Sequence, residues 1–217
     1  YIKPYFARMK KWEKTLQDMQ EVIDQTLKVQ ATWLYLEPIF SSEDIMRQMP
    51  VEGKLFKVVD AIWRENMGKT SAEPECVTVA RREGVVAEMI KANEMLDQIS
   101  KGLNQYLETK RLYFARFFFL SNDELLEILS ETKDPLRVQP HCKKCFDGIA
   151  ALQFEANLDI TAMISAEGEK VQFEYDKVQQ ATINPNNTGG NVEVWLLQTE
   201  WIMRKTVAQS IDDSVLD

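Results

Sequence analysis

Gly68-Lys69-Thr70 has the residue types that close a phosphate-binding loop. That chemistry needs a further glycine five residues earlier, so that the backbone can wrap the phosphates, and Trp63 stands there. Nucleotide binding is therefore not expected at this point. His141-Cys142-Lys143-Lys144-Cys145 sets two thiols three residues apart, which is half of a zinc site. A closed site takes four ligands, and the chain offers one histidine and one further cysteine, Cys76. Lys143 and Lys144 would lower the thiol pKa somewhat and favour redox chemistry, but two small buried thiols on a helix is the plainer expectation. A single histidine also limits acid–base catalysis. The many carboxylates fall near basic residues on solvated helix faces, as around Glu88, a pattern that serves solubility. Asn186-Asn187-Thr188 matches a glycosylation acceptor, with nothing else pointing to secretion. Phe117-Phe118-Phe119 could line a pocket, yet large apolar residues are usually core. No catalytic, cofactor or metal residues are expected in this chain.

The composition narrows the partners. A formal net charge of −8 argues against a nucleic-acid surface and against a polybasic membrane contact. No apolar run reaches the length of a bilayer span. The chain opens Tyr1-Ile2-Lys3-Pro4, with neither a starting Met nor a signal-like segment, so it is expected to be a piece of something longer. Three cysteines suit a reducing compartment. Apolar residues at 45% provide for a core, and the scarcity of glycine favours long helices.

The periodicity predicts a mainly α fold. Residues 5–36 read as one helix with Met9, Leu16 and Ile23 in one heptad row and Trp12, Met19, Thr26 and Trp33 in another. Thr26 and Gln30 interrupt the seam, so a helix within a bundle fits better than an indefinite coiled coil. Pro38 is expected to block continuation. Ser41-Ser42-Glu43-Asp44 reads as a helix start, Pro50 as a stop, and 51–67 as a further helix. The polar stretch 68–73 reads as a loop, with Pro74 opening a short helix. Residues 83–113 carry Val85, Met89, Ala92, Leu96, Ile99, Leu103, Tyr106 and Tyr113 in steps of four and three, with Lys110 the one polar occupant. Gly102 costs this helix about 1 kcal/mol against Ala, and a local bend is one use for it.

Arg116-Phe117-Phe118-Phe119-Leu120 has no helical alternation and is expected to be buried on both sides or docked in a groove. Ser121 to Glu124 is a capping box ahead of Leu125, Leu126, Ile128 and Leu129. After a turn at Asp134-Pro135, residues 136–147 read as helix, ending at Gly148. The period then shortens. Residues 149–155, 159–166 and 170–175 read as a three-stranded antiparallel β-meander that needs a helix on one face. Residues 184–190 form a loop and 191–209 a closing helix with Val192, Trp195, Leu196, Ile202 and Val207. The expected fold is helical bundles with long antiparallel helices plus this small meander. Residues 1–113 form one helical part, and 114–217 a second that holds the meander and closing helix.

Three stretches carry a family resemblance. They are Trp33-Leu34-Tyr35-Leu36-Glu37-Pro38-Ile39-Phe40-Ser41-Ser42-Glu43-Asp44-Ile45, the run from Tyr113 to Leu129, and the run from Val138 to Ile149. In their order and spacing, with Glu167-Gly168-Glu169 before a strand, they resemble the linker region of dynein heavy chains, the axonemal type in particular. Ala115 departs from the family, which often has proline there, and 174–190 is longer and more polar than its pattern.

The resemblance implies a mechanical linker, an arm that bends and straightens over a ring of AAA+ modules as ATP is bound and hydrolysed. ATP and magnesium would act in the ring of the parent chain, and this segment would hold no enzyme site. Partners would be the ring of the same heavy chain and other dynein subunits, with microtubules reached only through the parent chain. The place would be the cytoplasm, in the axoneme of a cilium or flagellum. Phe117, Phe118 and Phe119 are then candidates for hinge or packing, as is the 68–74 stretch for a hinge. Asn157, Leu158 and Asp159, at a hairpin tip, are candidates for a ring contact. A passive scaffold binding other dynein subunits is the alternative.

Overall fold

The computed structural model describes residues 3–130, 134–176 and 180–216, the last without its side chain. Tyr1 and Ile2 lie outside them, as do 177–179 in the polar stretch 174–190. Two compact units divide the chain, Tyr1–Asn104 and Gln105–Asp217. The described residues are mainly helical, with one three-stranded antiparallel sheet.

The first unit is built from α1 (Phe6–Phe40), α2 (Glu43–Gln48), α3 (Pro50–Ala72), α4 (Cys76–Ala80) and the greater part of α5 (Val85–Tyr113). The long helix expected at the start is present, but on a different face. Thr15, Val22, Val29 and Leu36, one every seventh residue, are buried, while Met9, Leu16 and Ile23 are exposed. Apolar residues surround most of α1, so its own period admits several seams. The helices that fold back on it select one. Trp33 lies on the edge of that seam: its ring is 5.9 Å from Trp63 and its Nε1 donates to Asp60 Oδ1 at 3.0 Å. Arg64 holds Asp60 through its Nε at 2.9 Å and sits over the Trp33 ring at 5.3 Å.

Pro38 does not stop α1, which runs two residues past it. A proline in the last turn forfeits one backbone bond. Phe40, buried and stacked on Phe56 at 5.2 Å, holds the end in place. The Ser41 amide and hydroxyl both donate to the Glu37 carbonyl, at 3.0 and 2.8 Å.

Residues 68–72 are the end of α3, not a loop. Lys69 reaches Glu65 at 2.6 Å, an i,i+4 pair that supports the last turns. Only Glu73, Pro74 and Glu75 then separate α3 from α4. Within this unit α5 buries Val85, Met89, Ala92, Leu96, Ile99 and Leu103 as the spacing predicts. A Cβ on Gly102 would fall 2.5 Å from Glu52 Oε1, so the glycine makes room for the first turn of α3.

The second unit takes the end of α5, then a 3-10 turn (Ala115–Phe119), α6 (Asn122–Ser130), a 3-10 turn (Pro135–Val138) and α7 (Gln139–Cys145). The sheet follows, with β1 (Ala151–Phe154), β2 (Ile160–Ile164) and β3 (Lys170–Gln172), and then α8 (Val192–Leu216). The strands pair in the order β1-β2-β3, antiparallel throughout, with a bulge between Gln153 and Phe154. They are shorter than the alternation predicts, although backbone bonds such as Ala150 N–H to the Ile164 carbonyl and Phe173 N–H to the Thr161 carbonyl continue the pairing past their ends. The helix support such a sheet needs is present: Phe154 meets Trp195 of α8 edge-on at 6.3 Å. Gln139 of α7 also pairs with β1 like an extra strand residue, donating to the Leu152 carbonyl at 2.5 Å and accepting from its amide at 2.9 Å.

The capping box of α6 is formed. The Ser121 amide donates to Glu124 Oε2 at 2.9 Å, and the Glu124 amide returns to Ser121 Oγ at 3.3 Å. In α5 the buried stripe shifts. Tyr113, expected on the stripe, is exposed and Tyr106 half-buried, while Leu107 is buried in its place. Lys110 keeps its place because its Nζ lies 2.5 Å from Glu193 Oε1, with the side chains only 13% and 8% exposed. In α8, Val207 is exposed while Val192, Trp195, Leu196 and Ile202 are buried.

Candidate functional site

The corner after α5 is formed by Phe114 and the 3-10 turn. Phe114 is extended at φ −123°, ψ 96°, which breaks the helix and turns the chain. Its ring meets Phe117 edge-on at 5.0 Å and Phe146 at 6.0 Å. Two arginines tie the backbone down. Arg111 Nη2 donates to the Leu120 carbonyl at 3.0 Å, and Arg116 Nη1 to the Cys145 carbonyl at 3.0 Å. The Arg116 guanidinium lies over the Phe146 ring at 5.2 Å, and its Nε is 3.2 Å from Glu200 Oε1, an ion-pair contact without hydrogen-bond alignment.

The aromatic run is therefore not buried on both sides. Phe117 is fully enclosed, whereas Phe118 and Phe119 are 54% and 69% exposed. With about three residues per turn, a 3-10 helix presents residues 117 and 120 on one face and 118 and 119 on others. Leu120 is accordingly buried with Phe117. Ala115 occupies the first position of this turn, where proline is well tolerated, so the departure from the family pattern leaves the corner intact.

The hairpin tip between β1 and β2 is preorganised. Leu158 adopts φ 69°, a left-handed conformation that costs a branched L-residue roughly 1–2 kcal/mol. Asp159 Oδ2 accepts from Asn157 Nδ2 at 2.7 Å, and Asn157 Oδ1 accepts from the Asp159 amide at 3.0 Å. Asn184 donates to both the Asn157 carbonyl and Asp159 Oδ1 at 2.8 Å. Sequence reasoning missed Asn184. Its signal was the Asn-Pro step, which starts a turn by accepting the Asn186 amide at 2.9 Å. The Asp159 carboxylate is thus spent on the turn; Leu158 is half-buried, and Ala156 and Asn157 are the exposed side chains of the tip.

The thiols of α7 face inward. Burial, and then the neighbouring Cys145, push the Cys142 thiol up to about 12. Burial raises Cys145 to about 11 against the pull of Arg116. The lowering expected from Lys143 and Lys144 is overturned: both lysines point to solvent, and Lys144 pairs with Glu124. The protonated form that results is a poor nucleophile and a poor ligand. Gly68-Lys69-Thr70 lies inside a helix, where amides are committed to the i−4 ladder and cannot cradle phosphate.

Comparisons with known proteins identify the family. Residues 1–214 match the family described as dynein heavy chain, N-terminal region 2. The chain is 55% identical over 207 residues to dynein axonemal heavy chain 12 of Homo sapiens, covering 95% of this chain and 6% of that protein. It is 53% identical over 215 residues to dynein axonemal heavy chain 3 of Mus musculus, covering 99% and 5%. It is 46% identical over 215 residues to dynein axonemal heavy chain 1 of Homo sapiens, again covering 99% and 5%. The chain thus spans only a small part of the length of these relatives. The match along nearly its whole length, on a mainly helical fold, shows that the chain belongs to the dynein heavy chain family, in its N-terminal region 2.

Proposed function

We propose that this chain is a segment of the mechanical linker of an axonemal dynein motor, the arm that bends and straightens over the AAA+ ring of the same heavy chain. ATP and magnesium act in that ring, outside this sequence, and the chain itself carries load rather than chemistry. Its setting is the axoneme of a cilium or flagellum, in keeping with the axonemal relatives, and it meets microtubules only through the parent chain.

The observation that carries this reading is α5. It is a single helix of 29 residues, about 44 Å long at 1.5 Å per residue, with its apolar stripe buried from Val85 to Leu107. A strut of this kind transmits force along its axis. The corner at 114–120 serves as a fixed bend, since Phe117 and Leu120 are buried and Arg111 and Arg116 hold the backbone. Phe118 and Phe119 are then outward contacts, and the backbone change of a hinge falls elsewhere. The hairpin tip of Asn157, Leu158 and Asp159 provides the ring contact.

The test is made in the full heavy chain, with a fluorescence energy-transfer pair on linker and ring and ATP analogues that hold successive states. The transfer efficiency is expected to change between states. An unchanged efficiency would refute the linker role. Leu158→Gly tests the contact separately, because glycine accepts the left-handed turn and leaves the stability within about 1 kcal/mol of wild type. Microtubule stimulation of the ATPase is expected to fall with that variant. Full stimulation at unchanged stability would remove the tip from the ring contact.

A further inference from the structure

The first unit leaves one apolar face of α1 uncovered. Every residue from Lys3 to Lys14 is exposed, and burial in the helix begins at Thr15. Met9, Leu16 and Ile23 recur every seventh residue on a face other than the buried row, with Phe6 and Leu27 beside them, and all five are 44–58% exposed. From Phe6 to Leu27 the stripe is about 32 Å long at 1.5 Å per residue. A continuous apolar surface of that length marks a place of contact. Its far end borders a cleft. Met19, Ile23 and Leu27 of α1, with Met67 of α3, Val79 of α4 and Met89 of α5, line a cavity of about 170 Å³, where Thr26 and Thr70 add hydroxyls to a mainly apolar wall. The volume suits one aromatic ring, since an engineered cavity of roughly 150 Å³ admits benzene. Methionine thioethers also contact ring edges favourably. Charge is divided along the same helix. Arg8, Lys10, Lys11 and Lys14 stand against the single Glu13 in the first part, while Asp18, Glu21 and Asp24 stand between Gln17 and Leu27 with no lysine or arginine among them.

We propose that α1 pairs antiparallel with α1 of a second copy of this chain, about a twofold axis at Leu16, with Phe6 of each copy seated in the cleft of the other. That axis sets Leu16 against the partner's Leu16. It brings Phe6 and Met9 level with the partner's Leu27 and Ile23, where the partner's cleft opens. One patch thus serves both copies, as a twofold interface requires. The same register sets Arg8, Lys11 and Lys14 level with the partner's Asp24, Glu21 and Asp18, so the basic part of each helix lies in the field of the acidic part of the other. A parallel pair would set like charges level along the whole stripe, and like-charge juxtaposition opposes association.

The experiment measures the mass of the 217-residue chain by sedimentation equilibrium against concentration. A dimer is expected with a Kd on the order of 10 µM, the weak end of the range open to protein interfaces. Leu16→Glu, at the axis, and Phe6→Ala, at the cleft, should each weaken it roughly tenfold or more, as central contacts of an interface do. Both positions are exposed, so the thermal melts should match wild type. Should Leu16→Glu melt lower, Met9→Glu, ahead of the first buried residue, takes its place. Cys76 is exposed and lines the cleft, so its alkylation should slow on dimerisation, and should not slow in Phe6→Ala at the same concentration. Lys11→Glu/Lys14→Glu should weaken self-association, and mixing it with Asp18→Lys/Glu21→Lys should restore a dimer. A chain that stays monomeric at about 100 µM, tenfold above the expected Kd, overturns the proposal and leaves the stripe to a helix of another kind. A dimer indifferent to Leu16→Glu or to Phe6→Ala, or a charge-reversed variant that associates as tightly as wild type, overturns it as well.

Discussion

Replacing Lys110 with methionine isolates a buried ion pair in the second unit. Lys110 Nζ and Glu193 Oε1 are 2.5 Å apart, and the side chains are 13% and 8% exposed. Each ion has given up most of its water, so removing one partner strands the other. Breaking a buried pair in this way costs about 3–5 kcal/mol. The two single variants should not be equal. After Lys110→Met, Glu193 still sits in the first turn of α8, where the helix dipole favours a carboxylate by about 0.3–1 kcal/mol. Its Oε2, already without a partner, remains buried. After Glu193→Leu, Lys110 keeps only the face of the Tyr106 ring, 5.4 Å away. The double variant Lys110→Met/Glu193→Leu should recover most of the loss, since an apolar pair of similar volume avoids desolvation altogether. Thermal melts followed by circular dichroism, run as a double-mutant cycle, provide the assay. Each single variant should melt about 6–20 °C lower for a chain of this size. Single variants within about 2 °C of wild type, or a double variant no better than the worse single, would refute the view that this is a desolvated pair.

Leu96→Ala and Leu103→Ala should each destabilise by about 2–5 kcal/mol, because both side chains are buried in α5; unchanged denaturation midpoints would take α5 out of the core. Phe117→Ala should cost about 3–5 kcal/mol while Phe118→Ala stays within about 0.5 kcal/mol, and equal effects on the melt would show that the corner is packed differently. Hydrogen bonds from Lys144 and then from Ser121 hold the Glu124 carboxyl down at about 2. Its contribution is present above the ordinary carboxylate range and is lost as pH falls toward 2. Glu124→Gln should therefore flatten the acid limb of the melting temperature against pH, and an identical limb in both proteins would remove the capping box from acid denaturation.

Much of the fold was legible in local pattern. The capping box at Ser121 and Glu124, the step-four-and-three stripe of α5 and the shift to alternation at the meander each lie within a few residues of the chain they organise. Trp63 stands where a phosphate loop would need a glycine, and the structure gives that tryptophan a use against Trp33. The candidate site was less legible. Phe117, Phe118 and Phe119 are the same residue type, and only the 3-10 geometry separates the buried ring from the exposed ones. Asn184 leaves almost no trace in sequence, because its role depends on partners in another part of the chain.

By itself, then, the sequence determined which stretches become the long helices and the meander, how several of them start, and which family the chain resembles. Those signals depend on backbone propensity and on the spacing of apolar side chains along one element. Tertiary structure decided which face of α1 is buried, since apolar residues at Met9, Leu16 and Ile23 compete with the row that its neighbours cover. It decided that Lys110 belongs in an apolar stripe, because the carboxylate that makes this tolerable lies 83 residues away. It also reversed the reading of the Cys142 and Cys145 thiols, whose protonation follows from burial and not from the lysines beside them in sequence. Each of these outcomes turns on the energy of desolvating a group, and that energy depends on which parts of the chain come together.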